Sequence, residues 1–285
     1  MSVIEKAVAI LRKEKPGELN QDRDVVFDIP GKRSGAIGAK SNNIICQLDF
    51  DALRESGYIT TEIENTQFAE EYRLIKRPLL ANAFGKGAAP VDMGNLIMVT
   101  SSIPGEGKTF TSVNLALSIA LERDTTVLLV DADVINPQLS RLFALDKQDG
   151  LIDVIDNASR SLSEVIINTD NPKLRIIPAG QPHEQSTELL ASERTRQLCE
   201  ELAERYPDRI ILFDAPPFLN TTQAKVLTRF MGQIMIVVEA GETHKSAIVE
   251  TTQQLGGDKV VGMILNKCKI SKRKIYGGYY GSYGE

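Results

Sequence analysis

The stretch "SSIPGEGKT", residues 101–109, holds the residue types from which a polyphosphate site is made. Against the pattern GxxxxGK[ST], Gly107, Lys108 and Thr109 match, and Ser102 stands where the first glycine would be. An apolar run precedes the loop and a helical pattern follows it, so backbone N–H groups of Pro104-Gly105-Glu106-Gly107 and the next turn, Lys108 to Phe110, can surround phosphates. Lys108 would lie on the β- and γ-phosphates and the Thr109 hydroxyl would ligate magnesium. Carboxylates follow at Asp131 and Asp133 in "VLLVDADVINP" and at Asp214 in "IILFDAPP", each at the end of an apolar run. One aspartate there is often a helix cap, but three beside a phosphate loop predict a metal site. Asp214 would hold the ion directly or through water. Asp131 is the first candidate for a general base and Asp133 for a metal ligand, with the roles open to exchange. Asn266, in "GMILNK", is placed either to read an adenine edge or to form a turn.

Those residues need a frame in which several strands end on one side. "LIMVTS", "TVLLVDAD", "RIIPAG", "RIILFDAPP", "IMIVVEA" and "VVGMILNK" are short β-branched runs alternating with helical stretches. Apolar runs without alternation predict strands buried on both faces, hence a mostly parallel α/β sheet with helices on both sides and a ligand crevice at the strands' carboxyl ends.

The flanks differ in texture. "SVIEKAVAILRKEK" places Ile4, Ala7, Val8 and Leu11 on one helical stripe, to pack on its own domain or dock a partner, and residues 16–43 read as a linker or extended arm. "TQFAEEYRLIKRPLLANAF" reads as a helix, with Glu70, Arg73 and Lys76 at three-residue steps on one face that is either an interface or merely solvated. The expected organisation is an N-terminal helix and arm over 1–64, a catalytic domain over 65–270 and a flexible tail over 271–285. Four of the seven tyrosines, Tyr276, Tyr279, Tyr280 and Tyr283, stand on that tail among glycines, behind Lys272-Arg273-Lys274. Core packing is a poor reason for them, because glycine loses the most backbone entropy on ordering.

Composition narrows the classes. With 42% hydrophobic and 25% charged residues the chain reads as globular, and a net charge of −5 gives no general field for nucleic acid. Cys46, Cys199 and Cys268 lie far apart and there are two histidines, which argues against a disulfide framework and zinc. No apolar run approaches the ~20 residues that span a bilayer.

Taken together, "SSIPGEGKT", "VLLVDADVINP" and "IILFDAPP" resemble the Walker A, A′ and B motifs of the bacterial tyrosine kinases. "EEYRLIK" is similar to that family's interface motif, "IIPAGQP" with "TELL" to its middle segment, and the tyrosine tail to its autophosphorylation cluster. The resemblance covers residues 65–285 and points to the stand-alone type linked to exosortase systems. It implies a P-loop NTPase fold and a protein-tyrosine autokinase using ATP and Mg2+, whose acceptors are tail tyrosines of a neighbouring subunit. It further implies a homo-oligomer built through Glu70, Arg73 and Lys76, and a membrane chain-length regulator that activates a cytoplasmic chain at the inner face of the membrane during exopolysaccharide production. The sequence departs from the family pattern at Ile135 and Lys76, where arginine is usual. Partition and cell-division ATPases share the three motifs, but they usually carry a lysine where Ser101-Ser102 stand and lack the tyrosine tail. An RNA-binding module using the basic run and tyrosines is the non-enzymatic alternative.

Overall fold

The computed structural model describes residues 45–60, 66–205, 208–257 and 259–268. The N-terminal stripe, most of the arm and the tyrosine tail lie outside them.

Eight strands form one sheet in the order β1-β4-β5-β3-β6-β2-β7-β8. They are β1 (Ile45–Cys46), β2 (Leu96–Ser101), β3 (Thr126–Asp131), β4 (Ile167–Thr169), β5 (Leu174–Ile177), β6 (Arg209–Asp214), β7 (Gln233–Glu239) and β8 (Val260–Asn266). All neighbours are parallel except β4 and β5. The six strands expected from their apolar runs are present, and the reason is visible in the packing. Leu96 and Met98 of β2 enter one core and Ile97 and Val99 the other; Leu128/Val130 and Val127/Leu129 of β3 divide the same way. A strand buried on both faces carries no alternation to read.

The two strands that the sequence does not announce are the short β1 and β4, and β1 moves the domain boundary. Residues 45–60, expected in the arm, form β1 and helix α1 (Phe50–Glu55), and Cys46, Leu48, Leu53, Tyr58 and Ile59 are buried in the core. Backbone bonds fix the segment: Ile59 N–H donates to Asn114 Oδ1 at 2.7 Å and Leu48 N–H to Asp170 Oδ1 at 3.3 Å. The folded unit therefore starts at or before residue 45 rather than at 65.

Helix α2 (Gln67–Ala83) begins at Thr66, whose hydroxyl accepts from Ala69 N–H, and it packs on helix α3 (Lys108–Ala120), the helix that opens from the glycine loop. Helix α4 (Gln138–Leu142) follows β3. The carboxyl ends of β2, β3, β6 and β8 thus bring residues 101–109, 131–133, 214 and 266 to one edge of the sheet.

Candidate active site

The loop between β2 and α3 is built around two left-handed glycines, Gly105 at φ 90° and Gly107 at φ 91°, a backbone that a β-carbon disfavours. Gly107 also has no room for one, since a β-carbon would lie 2.2 Å from Asn266 Nδ2. The loop is braced from within and without. Glu106 is buried, accepting from Ile103 N–H at 2.8 Å through Oε2 and from the Thr243 hydroxyl through Oε1. Ser102, where the pattern has glycine, is buried and accepts from the Thr251 hydroxyl at 2.9 Å; Ser101 donates to Ile103 O at 2.7 Å.

A cavity of about 630 Å³ opens beside this loop, with Pro104, Gly107, Lys108, Thr109, Phe110 and Asp133 among its walls. Lys108 Nζ lies 2.8 Å from Asp133 Oδ2. Burial alone would depress the ammonium's pKa, but Asp214 and then Asp133 raise it, so the charge is held. Thr109 donates to Asp214 Oδ2 at 2.7 Å and Ser112 to Asp214 Oδ1 at 2.9 Å, while burial pushes the Asp214 pKa upward.

The geometry around Asp131 weighs against the base role expected of it. Its side chain is fully buried, and Oδ2 accepts from both Ser140 N–H (2.8 Å) and Ser140 Oγ (2.7 Å) while Oδ1 accepts from Asp133 N–H (3.2 Å). Burial, then Asp214, pushes its pKa up to about 7. It fastens α4 to the end of β3 and is not among the residues that line the cavity. Asp133, which lines the cavity, is the carboxylate in reach. Among the described residues no three acidic, histidine or cysteine side chains form a ready-made cation group. What stands at the loop instead is a hydroxyl paired with a carboxylate, Thr109 with Asp214.

Asn266 Nδ2 donates to Glu106 O at 2.9 Å, and the residue lines a second cavity beside the loop together with Gly107 and Phe110. Ser112, Ser140 and the Glu106 carboxylate went unread in the sequence. Only Ser112 carries a local signal, one helical turn after Lys108 on the same face.

The comparisons with known proteins give the family. The AAA domain family (AAA_31) matches residues 94–255. The chain is 32% identical over 188 residues to tyrosine-protein kinase YwqD of Bacillus subtilis, covering 65% of this chain and 77% of that one. This chain belongs to the bacterial tyrosine kinases. It is therefore an enzyme of the protein-tyrosine kinase class, and the partition-type reading gives way. The kinase is also 34% identical over 179 residues to tyrosine-protein kinase ptk of Acinetobacter johnsonii, covering 62% of this chain but spanning only 24% of that longer protein. Among solved structures the BceF tyrosine kinase domain matches with a TM-score of 0.58 and 26% identity, over 78% of this chain and 91% of that one. Loop and fold are those of a nucleotide-binding protein.

The remaining expectations divide. Glu70 and Arg73 pair on the surface of α2 at 2.5 Å. Lys76 leaves them: it is buried, donating to Ser118 O at 2.5 Å and pairing with Glu122 at 2.7 Å. Three-residue steps drift about −60° each on a helix of 3.6 residues per turn, so the third member turns into the core. Lys76 caps the last turn of α3, where carbonyls lack intrahelical partners and a cation meets the dipole. Ile135 is exposed beside the cavity. Two tyrosines are described near the site, both buried. Tyr58 packs at a tilt against Phe110 with ring centroids 5.0 Å apart, and burial pushes the Tyr72 pKa up to about 12. Among the described residues no helix is long and apolar enough to cross a membrane.

Proposed function

We propose that this kinase transfers the γ-phosphoryl of MgATP to Tyr276, Tyr279, Tyr280 and Tyr283 of a neighbouring copy, in the service of exopolysaccharide synthesis. The observation that carries the reading is the Lys108–Asp133 pair in the wall of the loop cavity. The loop N–H groups and the α3 N-terminus bind the triphosphate. Lys108 leaves Asp133 for the phosphate oxygens, which frees the Asp133 carboxylate. A phenol, with a pKa near ~10, is a weak nucleophile until its proton is taken. As the phenol oxygen bonds to the γ-phosphorus, the bond from that phosphorus to the β,γ-bridging oxygen breaks, the proton passes to Asp133, and ADP leaves.

The Thr109 hydroxyl and the Asp214 carboxylate are an all-oxygen pair suited to a hard cation, so these two are the residues that would hold Mg2+, leaving Asp133, which lines the cavity with Thr109, as the base. When bound, the ion neutralises charge on the phosphate oxygens.

The tail is favoured as acceptor because Tyr58 and Tyr72 are buried, whereas the tail's glycine spacing lets each phenol reach a site in turn. Each phosphate adds about −1.5 to −2 charges, so a multiply modified tail repels bound nucleotide and leaves. Self-association through the Glu70/Arg73 surface would bring tail and site together at high effective concentration. A membrane chain-length regulator would recruit the chain and raise its activity. The test is incubation of the full chain with MgATP followed by phosphopeptide mapping. Phosphate on the four tail tyrosines is expected, and phosphate mainly on Tyr58 or Tyr72 would overturn the reading.

A further inference from the structure

Two consecutive residues at the end of β8 grip two consecutive carbonyls of the phosphate loop. Asn266 Nδ2 holds Glu106 O at 2.9 Å, and Lys267 Nζ holds Gly105 O at 2.8 Å. The Lys267 ammonium is itself aimed by Glu239 Oε2, also at 2.8 Å. Glu239 ends β7, where its backbone N–H donates to Thr243 Oγ1, the hydroxyl that reaches Glu106 Oε1. Lys267 sits at φ 56°, in the left-handed region where glycine or asparagine is ordinarily found. A long cationic side chain kept in that conformation invites a functional account, because the strain persists only where its surroundings hold it.

The consequence follows from the planarity of the peptide unit. In a trans peptide the C=O of one residue and the N–H of the next point in opposite directions. With Gly105 O and Glu106 O held toward β8, the N–H groups of Glu106 and Gly107 are turned away from it, as a loop that wraps phosphate by its N–H groups requires. We propose that Lys267 is a positioning residue for the kinase reaction, which presets the phosphate loop in its anion-binding orientation through Gly105 O and is oriented by Glu239. The inference rests on the reading that the triphosphate is held by residues 105–109.

Titration of the full chain with a fluorescent ATP analogue, with Mg2+, tests it. Lys267 is nearly half exposed, so its charge-assisted bond is screened, and Lys267→Met should weaken binding about five-fold. Lys267→Gly, which removes the side chain while suiting the left-handed backbone, should weaken it equally without lowering the melting temperature of the nucleotide-free protein. Lys267→Arg should recover most of the affinity, and Glu239→Gln should lose about two-fold. The loss should fall on KM for ATP and leave kcat for autophosphorylation within about two-fold. Unchanged affinity in both Lys267→Met and Lys267→Gly overturns the proposal, as does a loss in Lys267→Met that Lys267→Gly does not share, which would mark a purely structural effect. Failure of the unaltered chain to bind the analogue would remove the phosphate-loop reading and this inference together, whereas tail tyrosines left unmodified by a chain that binds it would leave this inference standing.

Discussion

Lys76→Met separates a residue that holds the fold from one that joins subunits. Methionine keeps an unbranched stem of similar volume in the buried slot between α2 and α3, so packing is largely preserved. What is lost is a charge-assisted bond to Ser118 O at 2.5 Å, of the class valued at ~1.5–3 kcal/mol, and a pair with the half-exposed Glu122 that contributes a few tenths of a kcal/mol at most. Removing a buried ammonium returns part of its desolvation cost. The net loss is about 1–2 kcal/mol, which for a domain of this size lowers the melting temperature by roughly 2–8 °C. Glu70→Ala with Arg73→Ala should show the opposite pattern: a surface pair whose removal leaves melting unchanged, with smaller particles in light scattering and slower phosphorylation of dilute protein. Calorimetry and light scattering on the two variants decide. A Lys76→Met protein that melts like the unaltered chain yet falls apart into smaller particles would refute the assignment of Lys76 to the interior.

Lys108→Met should reduce autophosphorylation by at least a hundred-fold with its circular dichroism spectrum intact, because it removes the phosphate clamp and exposes no core; undiminished activity would remove the site assignment. Asp133→Asn should lower the transfer rate by ~10²–10⁴ while retaining ATP binding, whereas Asp131→Asn should act mainly on stability; the reverse ranking in rates at saturating ATP would return the base role to Asp131. The nucleotide-free protein should also gain stability on acidification. Asp131 has a folded pKa raised to about 7 from 3.8, so between those values the folded state binds the extra proton, and its cost at high pH is relieved as pH falls through 7. Lowering pH from 8 to 5 should return roughly 2–3 kcal/mol through this group, and melting curves of Asp131→Asn should lack that slope; identical profiles would contradict it.

The legible parts of this protein are those whose signal is local. Uniform apolar runs followed by Gly107-Lys108-Thr109 or by aspartate announce buried parallel strands and a loop at their ends, and β2, β3, β6 and β7 lie where those runs predict. β1 and β4 are two and three residues long, too short to show a period, and β1 is placed by a partner strand more than a hundred residues away. Asp131 and Asp133 look interchangeable in "DAD". Ser140, nine residues on, decides between them by donating twice to Asp131. Asn266 was visible as a strand-end amide, but its partner is a carbonyl 160 residues away, and Lys267 carried no motif at all. Three-residue steps along α2 do not stay on one face, which is why Lys76 lies inside while Glu70 and Arg73 lie outside.

The central claim, transfer to tail tyrosines of a neighbouring copy at the Lys108–Asp133 site, is tested most directly by mixing two variants. One carries Lys108→Met with its tail intact; the other keeps Lys108 and has Tyr276, Tyr279, Tyr280 and Tyr283 all changed to Phe. With MgATP, neither should accumulate tail phosphate alone, and the mixture should place phosphate on Tyr276, Tyr279, Tyr280 and Tyr283 of the Lys108→Met chain. A Lys108→Met chain that stays unmodified in the mixture, while the unaltered protein phosphorylates its own tail, would contradict transfer between copies.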